Sequence, residues 1–184
     1  MRRLGVAIGI LCFVGFFGSP AFCQEKPDKV GLCDVAHDPA AYNHKLLEVT
    51  GLVEHGFEIF NLFDPTCSSS QSVWLEYGGK SKSGTTYCCG VTPDRHRSKE
   101  LVVEGIPIPL VKDSLFLEFD KLIQPPFPSG KGGATVRATL AGRFFAGQQI
   151  HLPKGTFWGG YGHLGCCSLF AIQQVKSVSP EDQK

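Results

Sequence analysis

Segment 158–167, WGGYGHLGCC, holds the residue types in this sequence that most suggest chemistry: closely spaced glycines, a histidine and two adjacent cysteines. Gly160 to Gly165 match G-x-G-x-x-G, the pattern of a dinucleotide-binding loop. Such a loop follows a strand, begins a helix and precedes an acidic residue by about 20 positions. HLPKGTFWG, before Gly160, has no strand pattern, CCSLFAIQQV has one, and only 19 residues follow Gly165. We therefore interpret the segment as a glycine-rich turn before the last strand and predict no cofactor.

The glycines of this turn have a structural interpretation. Glycine accepts positive φ without steric cost and lets one stretch of backbone pass close to another. Such a turn allows Tyr161 and Leu164 to point inward. Among the aromatic residues, Trp158 and Tyr161 are the ones that we expect to be exposed on a loop. We accordingly predict a contact loop formed by Trp158, Tyr161 and His163.

Two pairs of adjacent cysteines, Cys88-Cys89 and Cys166-Cys167, raise the questions of metal binding and of thiol redox chemistry. Zinc ligands usually occur at C-x₂₋₄-C or H-x₃₋₅-H spacing, and redox-active cysteines as C-x-x-C at the start of a helix. Neither spacing fits these pairs, and the histidines other than His163 are scattered singly. We therefore predict no metal and interpret the cysteines as cross-links. A thiol-redox or four-sulfur metal site built from the two pairs is the alternative.

The first 23 residues have the pattern of a secretory signal peptide, with a positive start, an apolar run and a small-residue exit. The run Leu4–Phe17 is too short and glycine-rich for a membrane-spanning helix, and residues 21–23 fit a cleavage site before Gln24. Lipidation of Cys23 is the alternative, although Phe22 departs from the small residues that a lipobox has. We expect an exported chain, periplasmic or extracellular, that loses two of its eight cysteines with the signal.

Disulfide bonds are the expected state of the other six cysteines, because an exported chain folds in an oxidising compartment. Six cysteines allow 15 pairings, which sequence alone does not resolve. Neighbouring strand residues point to opposite faces, and a bridge between adjacent cysteines is strained, so we expect each to pair elsewhere. The simplest arrangement links TYCCG to GCCSL and leaves the remainder to the two single cysteines. The disulfide candidates are Cys33, Cys67, Cys88, Cys89, Cys166 and Cys167.

The sequence has no motif of a hydrolase or of a phosphate-binding loop. G-x-S-x-G does not occur, and SGKGG, residues 129–133, lacks the upstream glycine and the Ser or Thr after lysine that a phosphate loop has. Glu54, His55 and Glu58 lie near a bend, but nothing else converges on them, and we interpret them as a polar strand face. We therefore predict no catalytic residue and a protein that is not an enzyme.

The pattern of apolar residues predicts five or six short strands. LLEVTGLVEHGFEIFNLF predicts two strands that meet near Gly56, and SVWLEY, ELVVEG, ATVRATLAGRFFAG and SLFAIQQVKSV predict others, with an edge strand at 85–89 and Gly142 at a bulge or bend. Asp113 can begin a helix over SLFLEFDKLI, and residues 33–45 predict a helical turn or two. This inventory predicts a mainly β protein, a small OB-like barrel of five to six strands with one or two short helices and disulfide bonds. A β-sandwich is the alternative.

The length and net charge of the chain limit its domain organisation and the classes of partner that it can bind. We divide the chain into a signal peptide (1–23), a polar leader (24–29), one barrel domain (30–178) and a polar tail (179–184). The whole chain has a net charge of +1, and loss of Arg2 and Arg3 with the signal leaves about −1. This balance offers no basic surface for nucleic acid or anionic lipid. No later stretch is long and apolar enough to be a transmembrane segment.

The mature chain also contains D-P-x-x-Y-x-x-K (38–45), an alternating strand with a central Gly51, and V-W-L-E (73–76), in that order. These blocks resemble the start of a family of uncharacterised exported bacterial proteins with an OB-like barrel. TYCCG, VVEGIPIPLV and GYGHLGCCSLFAIQQV resemble later blocks of the same family, so the likeness covers most of the mature chain. The resemblance implies a fold and an exported location, and it carries over no catalytic residue.

These observations predict an exported, non-catalytic binding or structural interaction module of the bacterial envelope. Its partner would be an envelope protein or a small ligand that the sequence does not specify, and no nucleic acid is expected. The alternative is a thiol-redox or metal-binding protein that uses the adjacent cysteine pairs.

Overall fold

The computed structural model describes residues 25–56, 58–67, 72–81, 91, 97–124, 134–153 and 155–181. The predicted signal peptide, Cys88-Cys89 with the predicted edge strand 85–89, and the SGKGG run lie outside these residues. The described elements, in chain order, are β1 (Asp28–Lys29), α1 (Leu32–His37), α2 (Pro39–Tyr42), β2 (Leu46–His55), β3 (Phe60–Phe63), β4 (Val73–Tyr77), β5 (Leu101–Val103), β6 (Ile106–Ile108), α3 (Ser114–Ile123), β7 (Ala134–Phe145), β8 (Gln148–Leu152), β9 (Gly155–Gly159), a 3₁₀ turn (His163–Gly165) and β10 (Leu169–Pro180).

Five strands close into a barrel of mixed strand direction. β2 pairs antiparallel with β7 along its whole length, from Leu46 opposite Arg143 to His55 opposite Ala134, and its second half also pairs antiparallel with β3. β3 lies antiparallel to β4, β4 lies parallel to β10, and β10 returns antiparallel to β7. The circle β2-β3-β4-β10-β7 is therefore complete. The prediction of a small, mainly β barrel with a few short helices is confirmed, and the β-sandwich alternative is wrong.

The barrel interior holds the main apolar core, and α3 covers one end of it. Tyr77, the last residue of β4, lies fully buried with its ring 5.5 Å from that of Phe116, and its hydroxyl donates to Asp120 at 3.0 Å. Burial together with the Asp120 carboxylate raises the pKa of this phenol well above its ordinary value. As predicted, Asp113 begins α3, accepting a hydrogen bond from the Phe116 amide at 3.0 Å. The fully buried side chains of this core include Leu47, Val53, Phe60, Leu62, Leu75, Phe119, Leu140, Phe144, Phe170, Ile172 and Val175.

A second apolar core lies on the outer face of the parallel pair β4–β10. All five residues of β4 are buried, because the hairpin β5–β6 covers the face that points away from the barrel interior. Trp74 projects into this second core and is 1% exposed. Burial on both faces is usual for parallel strands. The second core consists of Trp74, Leu101, Val103, Ile108, Phe145, Cys167, Leu169 and Ala171.

A buried ion pair also lies on this outer side of β4. Glu76 is fully buried, and one of its carboxylate oxygens lies 3.4 Å from a guanidinium nitrogen of Arg97, which is itself 4% exposed. The carboxylate accepts from the amides of Tyr77 at 3.1 Å and of Val91 at 3.2 Å, and Arg97 also donates to the Tyr77 carbonyl. A charge survives such burial only when it is paired and hydrogen-bonded, so Glu76 holds Val91 and Arg97 against the barrel.

The Cys33–Cys67 disulfide joins α1 to the loop between β3 and β4. The predicted helical turns are present as α1 and α2, with Asp38 accepting from the Ala41 amide at 3.3 Å and Pro39 at the first position of α2. The Cys33–Cys67 bond joins two of the cysteines that the sequence predicts as disulfide candidates, although the sequence left their pairing open.

Two hairpins are not in the sequence prediction. LVVEG and IPI pair with each other as β5–β6, and TFWG is a strand that pairs with β8. The expectation that no strand precedes Gly160 is therefore wrong. β9 is a strand because it pairs with β8, and it has no buried face. Its sequence therefore lacks the apolar alternation by which a strand is recognised. β1 lies in the predicted leader and pairs with β2, and β10 continues to Pro180, two residues into the predicted tail.

Gly142 marks a close approach of strands. The irregular pairing lies in β10, between Ile172 and Gln174, directly opposite this residue. A Cβ at Gly142 would lie 2.3 Å from the carbonyl oxygen of Ala171. The predicted bulge or bend is thus placed in the partner strand, and Gly142 supplies the space that it needs.

We predict that replacing Cys33 and Cys67 together by alanine lowers the free energy of unfolding by about 3 to 4 kcal/mol. The bond spans 34 residues of sequence, so its loss returns much conformational freedom to the unfolded chain. Urea denaturation followed by circular dichroism measures the difference. A loss below about 1 kcal/mol would show that this bond does not carry the stability expected for a loop of this length.

Candidate functional site

The glycine-rich segment, defined as residues 158–167, forms a closed lobe between β9 and β10. The Tyr161 amide donates to the Cys167 carbonyl at 3.0 Å, and the Cys167 amide donates back to the Tyr161 carbonyl at 3.1 Å. The Gly160 amide adds a bond to the Gly165 carbonyl at 3.0 Å. These bonds join the two ends of the lobe, so that the 3₁₀ turn between them projects as its tip.

The lobe lies directly on the ring of Trp74. A Cβ at Gly162 would be 2.5 Å from the ring atom Cε3 of Trp74, and the φ angle of Gly162 is +74°. No side chain fits at this position, and glycine adopts this backbone conformation without strain. The predicted reason for the glycines, positive φ and close approach, is confirmed here, with an indole ring as the close neighbour.

Tyr161, Glu104 and His44 form a hydrogen-bonded group that we call the polar cluster. The Tyr161 hydroxyl donates to one carboxylate oxygen of Glu104 at 2.6 Å, and His44 Nε2 lies 2.6 Å from the other. Hydrogen bonds to an ionised carboxylate are short and stronger than neutral ones. The cluster therefore fastens the lobe to the tip of the β5–β6 hairpin and to the loop before β2.

Left-handed backbone is concentrated around this site. Within the described part of the chain, the non-glycine residues with positive φ are His44 (62°), Glu104 (49°) and Leu164 (55°). Glu104 and Gly105, both with positive φ, form the two-residue turn of the β5–β6 hairpin. Non-glycine residues in this conformation cost about 1 kcal/mol or more each and collect at functional sites.

The polar cluster shifts the pKa values of its members in opposite directions. Hydrogen bonds from Tyr161 and then from His44 lower the pKa of Glu104 below its ordinary value, because both donors stabilise the carboxylate. Burial, together with the hydrogen bond to Glu104 and its charge, raises the pKa of the Tyr161 phenol. At neutral pH the cluster is therefore a phenol donating to a carboxylate.

Arg143 connects the polar cluster to the start of the described chain. Its Nη1 donates to the His44 carbonyl at 2.8 Å, and its Nη2 lies 2.7 Å from a carboxylate oxygen of Glu25. This arginine, on β7, therefore helps to hold the left-handed backbone of His44 in place.

The tip of the lobe reaches the loop between β2 and β3. His163 Nδ1 lies 3.8 Å from a carboxylate oxygen of Glu58, and both side chains are partly exposed. This contact brings together the loop after the first barrel strand and the long connection between β7 and β10.

Cys166 and Cys167 are bonded to each other. The prediction that each adjacent cysteine pairs outside its own dipeptide is therefore wrong for this pair, because the chain turns at Cys166 and joins β10 only at Leu169. Cys166 has helical φ and ψ, so the opposite-face argument for strand residues does not apply to it. Cys166 is exposed, whereas Cys167 is 5% exposed in the second core.

The predicted contact loop is only partly exposed. Trp158 lies half-buried against the main core, where it lines a small cavity with Val35, Phe144 and Ser168. Tyr161 is half-buried in the polar cluster, and His163 is partly exposed. The expectation that Leu164 points inward is wrong, since it is 93% exposed.

Sequence reasoning missed Glu104 and His44. Glu104-Gly105 between the short apolar runs LVV and IPI signals a hairpin turn, but nothing local indicates that this turn meets the glycine-rich segment. His44 precedes a strand as a single histidine, and its partner lies 60 positions away.

His55 and the group formed by Cys33, Asp64 and Cys67 have structural roles. His55 is 4% exposed, with Nδ1 2.9 Å from the Ile123 carbonyl, so it is part of the core and not of a polar strand face. Among the described residues, Cys33, Asp64 and Cys67 have ligand-type atoms close enough to surround an ion. The two sulfurs are bonded to each other, which leaves one carboxylate, too few ligands for a metal site.

Comparison with protein-family models, with curated proteins and with solved structures finds no match to this chain. Within the described ranges, no helix has the length and apolar character needed to cross a membrane.

We predict that Glu104→Gln lowers the free energy of unfolding at pH 7 by about 1 kcal/mol, a modest value because the site is partly exposed. The pKa of Glu104 is lowered in the folded protein, so its stabilisation is present above about pH 4.3 and is lost as the pH falls through the lowered pKa. Urea unfolding of the wild type and the variant at pH 7 and pH 3 tests this.

The difference between the two proteins should narrow at pH 3, because this pH lies below the ordinary pKa of glutamate, where the stabilisation from the lowered pKa is being lost. Glu118→Gln, an exposed site on α3, is the matched control and should change stability little at either pH. A Glu104→Gln deficit that stays equal at both pH values would contradict the charge-assisted cluster.

Proposed function

We propose that this protein is an exported, non-catalytic binding module of the bacterial envelope and that the tip of its glycine-rich lobe contacts the partner. We further propose that its five-stranded barrel is an OB fold. In OB folds the loops between strands one and two and between strands four and five form the binding site. The corresponding connections here, from β2 to β3 and from β7 to β10, meet through Glu58 and His163.

The observation that carries the proposal is Leu164. This leucine has φ of +55° and ψ of +20°, a conformation that glycine or asparagine adopts at lower cost. Its side chain is 93% exposed, so it gains almost nothing by burial. Its backbone works against stability and its side chain adds nothing to it, and we propose that binding is the function that this leucine serves.

The surroundings of Leu164 fit a protein partner. The lobe is held by the polar cluster, by the Cys166–Cys167 bond and by Trp74, so the tip is ordered before any partner arrives. Preordered tips lose little entropy on binding. One apolar side chain with two polar side chains, His163 and Glu58, at its border resembles the apolar centre and polar rim of protein interfaces.

The export part of the proposal rests on the signal-peptide pattern of residues 1–23 and on the disulfide bonds. Bonds such as Cys33–Cys67 persist in oxidising compartments. The absence of a basic balance in the sequence argues against nucleic acid as the partner.

We predict that Leu164→Asn separates binding from stability. Asparagine accepts the left-handed conformation, so the free energy of unfolding should rise by up to about 1 kcal/mol. Binding should fall at the same time, because the apolar contact is lost. Urea denaturation gives the first quantity. Recovery of envelope proteins from the source organism on the immobilised mature chain, followed by affinity measurement with the purified partner, gives the second.

Leu117→Asn is the matched control, since Leu117 is 63% exposed but lies on α3 with helical backbone. It should leave partner recovery unchanged. A partner recovered equally by wild type and Leu164→Asn would place the binding surface elsewhere. A Leu164→Asn variant less stable than the wild type would remove the argument from strain.

A further inference from the structure

We propose that the Cys166–Cys167 bond is a redox-active site that exchanges with dithiol reductants, whereas Cys33–Cys67 is a structural bond. This inference goes beyond the binding role and does not depend on it. It rests on the position of the two bonds in the chain, on their exposure and on what surrounds them.

The first argument is the sequence separation of the bonded residues. Cys33–Cys67 closes a long stretch of chain, which restricts the unfolded state and so stabilises the fold. Cys166–Cys167 joins neighbours that the peptide bond already holds together. Such a bond removes almost no freedom from the unfolded chain. Stabilisation of the fold therefore does not account for it.

The second argument is access. Exchange requires a thiolate to reach one sulfur of the disulfide. Cys166 is an exposed residue that directly follows the tip of the lobe, whereas Cys167 is packed in the second core. Cys33 in α1 and Cys67 in the β3–β4 loop are both half-buried. The sulfur of Cys166 is accordingly the one that an incoming thiolate attacks.

The reaction is a two-electron exchange. A thiolate of the dithiol forms a bond to Cys166 Sγ, and the Cys166–Cys167 bond breaks, so that Cys167 leaves as a thiolate and takes a proton. The second thiol of the reductant loses its proton and attacks the other sulfur of the reductant, the one bonded to Cys166 Sγ in this mixed disulfide. Cys166 is released and protonated. The protein disulfide is reduced to two thiols, and the dithiol is oxidised to a disulfide.

Reduction should change the lobe, because both cysteines belong to it. Cys167 exchanges two backbone hydrogen bonds with Tyr161, and Cys166 donates to the His163 carbonyl at 3.2 Å. Opening the bond frees Cys166 from the packed sulfur of Cys167 and loosens the base of the tip. The two tryptophans of the chain, Trp74 and Trp158, both lie at this lobe, so intrinsic fluorescence reports its state.

The test is a dithiothreitol titration of the native, full mature chain, with thiols trapped by an alkylating agent and assigned by peptide mass. Cleavage after lysine isolates both cysteines of this site in residues 155–176, and Cys33 in residues 30–45. Peptide 155–176 should reach half-alkylation, by two groups, at a dithiothreitol concentration at least about tenfold below that of the Cys33 peptide. Tryptophan fluorescence should change over the same range.

Two variants make the outcome specific. The double variant Cys166→Ser with Cys167→Ala should show no fluorescence response in that range, and Cys33→Ala with Cys67→Ala should keep the response. Reduction of peptide 155–176 only together with the Cys33 peptide, on unfolding, would overturn the proposal. Alkylation without dithiothreitol would show that the bond is not formed, which also overturns it. The titration needs no binding partner, so failure to find one leaves this result standing.

Discussion

The parallel contact between β4 and β10 is the constraint on which the rest of the structure depends. It closes the barrel, and it places apolar residues on both faces of the two strands. A barrel has only one interior, so the outward face of β4 needs cover from elsewhere in the chain. The β5–β6 hairpin supplies most of it, and the glycine-rich segment supplies the rest by lying on Trp74.

This cover explains why polar and strained residues gather at one place. The tip of the hairpin and the lobe approach each other over the second core, and they meet where Glu104 accepts from Tyr161. Their left-handed residues are tolerated because the closed barrel and the Glu76–Arg97 pair hold the surrounding chain in place. The local strain is small compared with the apolar burial that the two covering segments complete.

Local sequence patterns predicted the parts of this fold whose causes are local. Alternation identified β2, β3 and β7, short apolar runs identified β4 and β10, and the capping residue Asp113 identified α3, because each signal lies within a few residues of the element. The candidate site was harder to predict from the sequence. Glu104 and His44 meet across 60 residues, and Leu164 faces outward because of its neighbours in the lobe. The pairing of Cys166 with Cys167 was missed because a strand geometry was assumed where the chain turns.

The contacts of Arg143 place Glu25, the first described residue, next to the site. One guanidinium group holds both the carbonyl of His44 and the carboxylate of Glu25. The described chain therefore begins, at Glu25, next to the contacts that hold His44. A bulky group attached at Glu25 would crowd this face, whereas β10 runs to Pro180, which pairs with Val136 at the opposite end of β7 from Arg143. The end of β10 is therefore a better place than Glu25 for attaching a probe or for immobilising the protein on a surface.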